Sequence, residues 1–188
     1  MFFRKRTLAR RDSVPVAMAG VRMGERLLQI GIDDAALAAA LAGKVGLSGT
    51  AALAVDRAPD GERARVMAAA AGVLVDIQVA PWRQQAFAAD SFDLVVVQSS
   101  HGLLAGMTPE ERVACLQFAY RVLRHGGRIL VIESAPRGGL AGLLRKTVSN
   151  PSYDAHGGAA GALKAEGFRP VRSLGEHEGY RFTEGLKT

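Results

Sequence analysis

Leu27-Leu28-Gln29-Ile30-Gly31-Ile32-Asp33-Asp34-Ala35 reads as a short buried strand, a tight turn at Gly31 and the start of an alanine-rich helix. In an open α/β sheet, that corner is where nucleotide-like ligands bind. Cofactor-binding turns of this kind usually carry two or three glycines, whereas this one carries only Gly31. Fold and function therefore point in slightly different directions.

Outward from this corner, short apolar runs alternate with helical patterns. Strands are expected at 26–31, 51–56, 73–79, 92–98 and 128–133, each apolar enough to be covered on both faces of a parallel sheet. Helices are expected at 34–42, 60–71 and 109–124. The last is the best marked: Thr108 is the N-cap, Pro109 takes the first helical position, and Glu111 completes a capping box. Arg121, Arg124 and His125 suit the negative end of its dipole, and Gly126 suits the left-handed residue beyond it. A glycine-interrupted helix at 158–166 precedes two more strands, 168–174 and 180–185, whose short link suits an antiparallel hairpin. Residues 137–155, rich in Gly, Ser, Asn and Pro, are the expected mobile loop over the site. The fold class is α/β, with helices on both faces of the sheet.

At 188 residues, 48% hydrophobic and 22% charged, the chain fits one globular domain. The lone Cys115 excludes an internal disulfide and suits a reducing, cytoplasmic compartment. Four scattered histidines without ligand spacing argue against a structural metal, and no run reaches the roughly 18 apolar residues of a membrane span. The formal charge of +6 is concentrated in Arg4, Lys5, Arg6, Arg10 and Arg11. We therefore divide the chain into a basic arm at 1–23 and a domain at 24–188. The arm reads either as a solvated tail or as a contact for an anionic partner, RNA or a membrane surface. A homodimer or a protein partner is equally open.

Five strand–helix units closed by a hairpin resemble the class I S-adenosylmethionine-dependent methyltransferases, over residues 24 to 188. The matches come in order: 27–31 as first strand and turn, Asp56 at the end of the second strand, Ser91-Phe92-Asp93-Leu94-Val95 opening the fourth, Arg121-Val122-Leu123-Arg124-His125-Gly126-Gly127 as the corner into the fifth, and Gly167-Phe168 before the hairpin. The resemblance implies a Rossmann-like seven-stranded sheet, five strands parallel and a C-terminal antiparallel hairpin. It also implies S-adenosylmethionine as cofactor, held by Gly31, Ile32 and Asp33 at the turn, Asp56 and Arg57 at the ribose, Trp82 stacking on adenine, and Ser99 near the reactive end. His101 is the candidate base. Asp56 lies about 25 residues past Gly31, close to the spacing of ~20 for a ribose-binding acid. Its other reading is a loop carboxylate capping the next helix.

The departures from the family pattern are specific. Gln29 replaces the strand acid, and Asp33 and Ala35 replace the second and third glycines. Asp33 either obstructs the turn, its carboxylate with that of Asp34 occupying the helix N-terminus in place of a ligand anion, or substitutes for the lost acid by accepting from the cofactor's ammonium. Pro81 stands where the family places an acid on the adenine amino group, and Trp82 is either an adenine platform or core. The expected function is methyl transfer to a small-molecule or metabolite acceptor. The alternative is a scaffold of the same fold with a weakened cofactor site. A nicotinamide-dependent oxidoreductase fits less well, because the turn lacks the second and third glycines and no Tyr-x-x-x-Lys pair appears.

Overall fold

The computed structural model describes residues 13–135 and 150–188. The residues Arg4, Lys5, Arg6, Arg10 and Arg11, and most of the expected loop at 137–155, lie outside them. In chain order the elements are α1 (Val14–Ala19), β1 (Arg26–Ile30), α2 (Ala35–Lys44), β2 (Thr50–Val55), α3 (Ala58–Ala71), β3 (Asp76–Val79), a 3-10 turn (Trp82–Gln84), β4 (Phe92–Ser99), α4 (Leu103–Gly106), α5 (Pro109–Val122), β5 (Leu123–Ser134), α6 (Pro151–Ala155), α7 (Gly158–Ala165), β6 (Val171–His177) and β7 (Tyr180–Leu186). They form one seven-stranded sheet in the order β3-β2-β1-β4-β5-β7-β6. Pairs among β1 to β5 are parallel, whereas β7 runs antiparallel to both β5 and β6. This is the Rossmann-like arrangement implied by the sequence.

Alternation along the strands divides the core into two faces. Leu28, Ile30, Val95, Val97, Ile129 and Val131 face α5 and α7, while Leu27, Leu94, Val96, Leu130 and Ile132 face α1 and α2. Burial on both faces is what removes polar residues from these strands, since each fully buried aliphatic side chain contributes roughly 1.5–3 kcal/mol. Gln29 is the exception on β1, fully buried among apolar neighbours.

Several boundaries differ from the expected ones, each for a tertiary reason. The division at residue 23 falls inside the packed unit, because Val16 and Ala19 of α1 are buried in the core beside Leu41 of α2. β3 begins at Asp76 rather than 73, because its pairing with β2 starts at Ala52↔Asp76. Val73 and Val75 instead lend their side chains to the α2–α3 side of the core. The capping box at Thr108 and Glu111 is present, but α5 stops at Val122. Leu123 already pairs with Phe92 of β4, and Arg124 binds Asp93 at 2.6 Å instead of closing the helix end. Asp93 also accepts from Arg26 N–H. Burial alone would raise its carboxyl; these two partners override that and hold it below its ordinary value. The hairpin turn is only Glu178-Gly179, both at positive φ (51° and 80°), as a type I′ turn requires. Asn150, expected in the loose stretch, caps α6 through its side chain.

Candidate cofactor site at the carboxyl edge of the sheet

The chain moves outward from β1 to β3 and then returns to β4 on the other side of β1. The carboxyl ends of β1 and β4 therefore flank the point where strand order reverses, the usual ligand crevice of an open α/β sheet. Three segments meet there: the turn after β1, Asp56 after β2, and Ser99 to Leu103 after β4.

The turn is built by Gly31 at φ 80°. A Cβ at Gly31 would lie 2.7 Å from Leu103 Cδ2 and 3.1 Å from the Gln98 carbonyl oxygen. Leu103 thus covers the glycine from the β4 side. Ile32 is buried, and its carbonyl accepts from Arg63 Nη2 at 2.9 Å. Asp33 reaches across the crevice, where its Oδ2 accepts the His101 backbone N–H at 2.7 Å. Burial pushes the Asp33 carboxyl above its ordinary value, against the opposing pull of the His101 N–H and of nearby His101 and Arg63.

Asp34, not Asp33, fills the helix N-terminus: its Oδ1 accepts from Ala36 N and Leu37 N. The Asp34 N–H donates to Gln98 Oε1 at 3.1 Å, and Gln98 Nε2 donates to Gln29 Oε1 at 2.9 Å. Gln29 Nε2 in turn donates to the Ala38 carbonyl. Gln29 therefore anchors α2 to β1 and β4 through an amide relay. The helix start takes three of its amide groups to protein oxygens, so it is not an anion site in the sense its dipole alone would give.

Asp56 follows β2 at the carboxyl edge of the sheet, with its side chain about a third exposed, 32%. Arg57 lies 3.9 Å from it and is paired more closely with Asp60, at 2.7 Å. Asp60 also binds Arg63 at 3.0 Å, so these two arginines and Asp60 brace the start of α3. Ser99 is buried, and its Oγ accepts from Leu104 N, which makes it a cap for α4. His101 is exposed at the mouth.

Trp82 is a correction to the expected adenine platform. Its side chain is 5% exposed, and its ring lies against Phe118 with centroids 6.4 Å apart and 27° between planes. Its apolar area is worth more inside the β–α5 core than on a rim, so it offers no exposed face to a purine. Pro81 remains exposed.

Sequence reasoning did not single out Glu133. It sits at the end of β5, paired in register with Ser99, and accepts from the Tyr153 hydroxyl at 2.9 Å. Burial raises its carboxyl above the ordinary range, opposed by that hydroxyl and by Arg181. Arg112 lies 4.6 Å over the Tyr153 ring and donates to the Leu104 and Met107 carbonyls. A half-buried acid beside a fixed phenol at a strand's carboxyl end is suited to exchanging a proton. Nothing local in the sequence marks the pair, because its partners lie 20 residues apart on separate elements.

The residues fit an adenosyl cofactor unevenly. The β2 side of the crevice offers a partly exposed acid at Asp56. The side where an amino-acid tail would lie is narrowed by Leu103 over Gly31 and by the Asp33–His101 bond.

A family model described as a methyltransferase domain matches residues 28–131. A SAM-dependent methyltransferase from Aquifex aeolicus superposes with a TM-score of 0.71 at 14% identity, covering 100% of both chains. SibL, an S-adenosylmethionine-dependent methyltransferase in its apo form, gives 0.61 at 24% identity, covering 87% of this chain and 50% of its own. PigF with SAH gives 0.62 at 16% identity, with 87% and 50% covered. The chain thus spans all of the first and about half of the other two. At these identities the likeness shows a shared fold. No curated protein matches the chain.

Proposed function

The chain belongs to the methyltransferase-domain family, and on that premise we propose that it transfers a methyl group from S-adenosylmethionine to a small-molecule acceptor. The observation that carries this reading is the convergence of the Gly31 turn, Asp56 and the Ser99-to-His101 segment on one carboxyl edge, at the point where strand order reverses. The acceptor class rests on the short connections after β1, β2 and β4 among the described residues, which leave residues 137–155 and the N-terminal arm as the chain available to build a substrate surface.

When bound, S-adenosylmethionine supplies a methyl group activated by its sulfonium. Methyl transfer then needs mainly proximity and in-line approach. Asp56 accepts from the ribose hydroxyls, and Gly31 allows close approach of the ligand to the backbone. Asp33 would hold the cofactor's ammonium through its carboxylate, in the role of the acid lost at Gln29. Glu133, held by Tyr153, removes a proton from the acceptor when that acceptor is only weakly acidic. His101, exposed at the mouth, is the second base candidate. Tyr153 and Arg112 close the crevice beside α4 against water.

Asp56→Ala should weaken S-adenosylmethionine binding by about 1.5–3 kcal/mol, the range for a hydrogen bond to a charged group. Unchanged affinity in a titration would remove Asp56 from the ribose. Asp33→Asn should lower affinity about tenfold, since the amide keeps the shape but loses attraction for an ammonium. A gain in affinity would instead mark the Asp33–His101 bond as an obstruction.

The second reading, a scaffold with a weakened site, is favoured by the narrowing at Leu103 and by the self-capped start of α2. Incubation with methyl-labelled S-adenosylmethionine and pools of phenolic, hydroxylated and amine metabolites separates the two. Label in a small product supports the transferase, and its absence across the pools, with cofactor bound, supports the scaffold. We further propose a cytoplasmic setting, and an anionic partner for the basic residues Arg4 to Arg11.

A further inference from the structure

Four large apolar side chains stand exposed among the described residues, and three of them lie at one edge of the sheet. Leu47, Leu74 and Met23 are 105%, 93% and 79% exposed, while the fourth, Val66, lies on α3. Met23 precedes β1, Leu47 precedes β2 and Leu74 precedes β3. These strands are parallel neighbours in the order β3-β2-β1. The three side chains therefore occupy the amino edge, opposite the crevice, in a row that spans roughly 10 Å across the strands.

Local structure holds these tips outward. Arg26 is in register with Thr50, and Met23 and Leu47 each lie three residues before that pair. Their two loops are tied together: Gly24 N–H donates to the Val45 carbonyl at 2.9 Å, and a Cβ at Gly46 would lie 3.1 Å from Met23 Cγ. Val73 and Val75 pack inward on either side of Leu74, which leaves Leu74 pointing away from the core. The same edge carries an excess of cations. Arg26 and Arg124 share Asp93, and Arg128 and Arg172 share Glu184. Arg22 adjoins Met23 and Lys44 lies three residues before Leu47, and neither side chain forms an ion pair among the described residues. Against them stand Glu25, which accepts the Arg22 N–H, and the exposed Asp76.

We propose that this amino edge docks on an anionic lipid surface, with Met23, Leu47 and Leu74 entering the interface and Arg22 and Lys44 lying against the headgroup phosphates. A fluid interface accepts protruding aliphatic side chains without a shaped counterpart, and its negative surface potential attracts the cations beside them. A second copy of the chain fits this edge poorly, because a two-fold contact would bring the same cations together. RNA fits poorly as well, since the three tips carry no ring on which a base could stack. Docked by this edge, the protein keeps its crevice turned toward solvent, where a small acceptor can reach it.

The test is flotation of the full chain with vesicles of equal parts phosphatidylcholine and phosphatidylglycerol, beside vesicles of phosphatidylcholine alone. The wild type should float with the anionic vesicles and far less with the neutral ones. Leu47→Ser combined with Leu74→Ser should lower the ratio of bound to free protein about tenfold or more, because apolar area is removed while every charge remains. Arg22→Gln combined with Lys44→Gln should lower it several-fold and flatten its dependence on salt. Both double variants change side chains outside the core, so their thermal unfolding should match the wild type. Undiminished flotation of the serine variant overturns the proposal and gives the attachment to the basic residues Arg4 to Arg11. Absence of wild-type flotation also overturns it. Self-association in sedimentation velocity that the serine variant loses would then assign the tips to a second copy of the chain.

Discussion

Phe168→Ala should cost about 3–5 kcal/mol of folding stability, the range for truncating a fully buried aromatic ring. Phe168 has no exposed surface and meets Tyr120 edge to face, with ring centroids 5.0 Å apart. Its ring also lies against the backbone of β7, where a Cβ added at Gly185 would come within 3.0 Å of Phe168 Cβ. This contact is what docks the hairpin onto α5 and β5, so little can collapse into the space a methyl leaves. The position is also far from the crevice: Phe168 precedes the pairing of Leu186 with Arg128 at the amino end of β5. Urea unfolding should therefore show a large loss of stability, while cofactor affinity of the folded protein stays within about twofold. A stability loss under about 1 kcal/mol would mean that the hairpin is not held by this ring.

Gly31→Val couples fold and site, and should damage both. A β-branched residue at φ 80° is a steric outlier, and its Cβ would fall 3.1 Å from the Gln98 carbonyl oxygen and 2.7 Å from Leu103 Cδ2. Leu103 can shift, being the end of a flexible side chain, but the β4 backbone cannot move without disturbing the sheet. Strain and overpacking together should cost about 2–5 kcal/mol. The same methyl groups would stand where the ligand must approach the turn, so affinity for S-adenosylmethionine should fall below detection. Thermal unfolding and titration read the two effects separately. Normal affinity in a folded Gly31→Val variant would place the cofactor elsewhere.

Most of the framework was legible because it follows from local chemistry. The apolar runs gave the five parallel strands, Thr108 and Glu111 gave the start of α5, and Gly167-Phe168 marked the approach to the hairpin. Failures came where a distant partner decides. Leu123 and Arg124 look helical until Phe92 and Asp93, some thirty residues earlier, draw them into the sheet. Trp82 reads equally as platform or core until Phe118 claims its face. The site was less legible than the fold for the same reason. Gln29 looked like a lost acid, yet with Gln98, 69 residues away, it supports the start of α2. Asp33 read either as an obstruction or as a substitute acid; Asp34 takes the helix start, while Asp33 bonds across the crevice to the His101 N–H. The Glu133–Tyr153 pair carries no sequence signature at all, since it arises from packing between separate elements.

The central claim is that this crevice, with one glycine at its turn, still holds an adenosyl cofactor. Calorimetric titration of the protein with S-adenosylmethionine and S-adenosylhomocysteine tests it directly. The account predicts saturable binding of both at micromolar concentrations, weakened by Asp56→Ala. No heat of binding up to millimolar ligand would contradict it and leave a methyltransferase fold that acts through its surface.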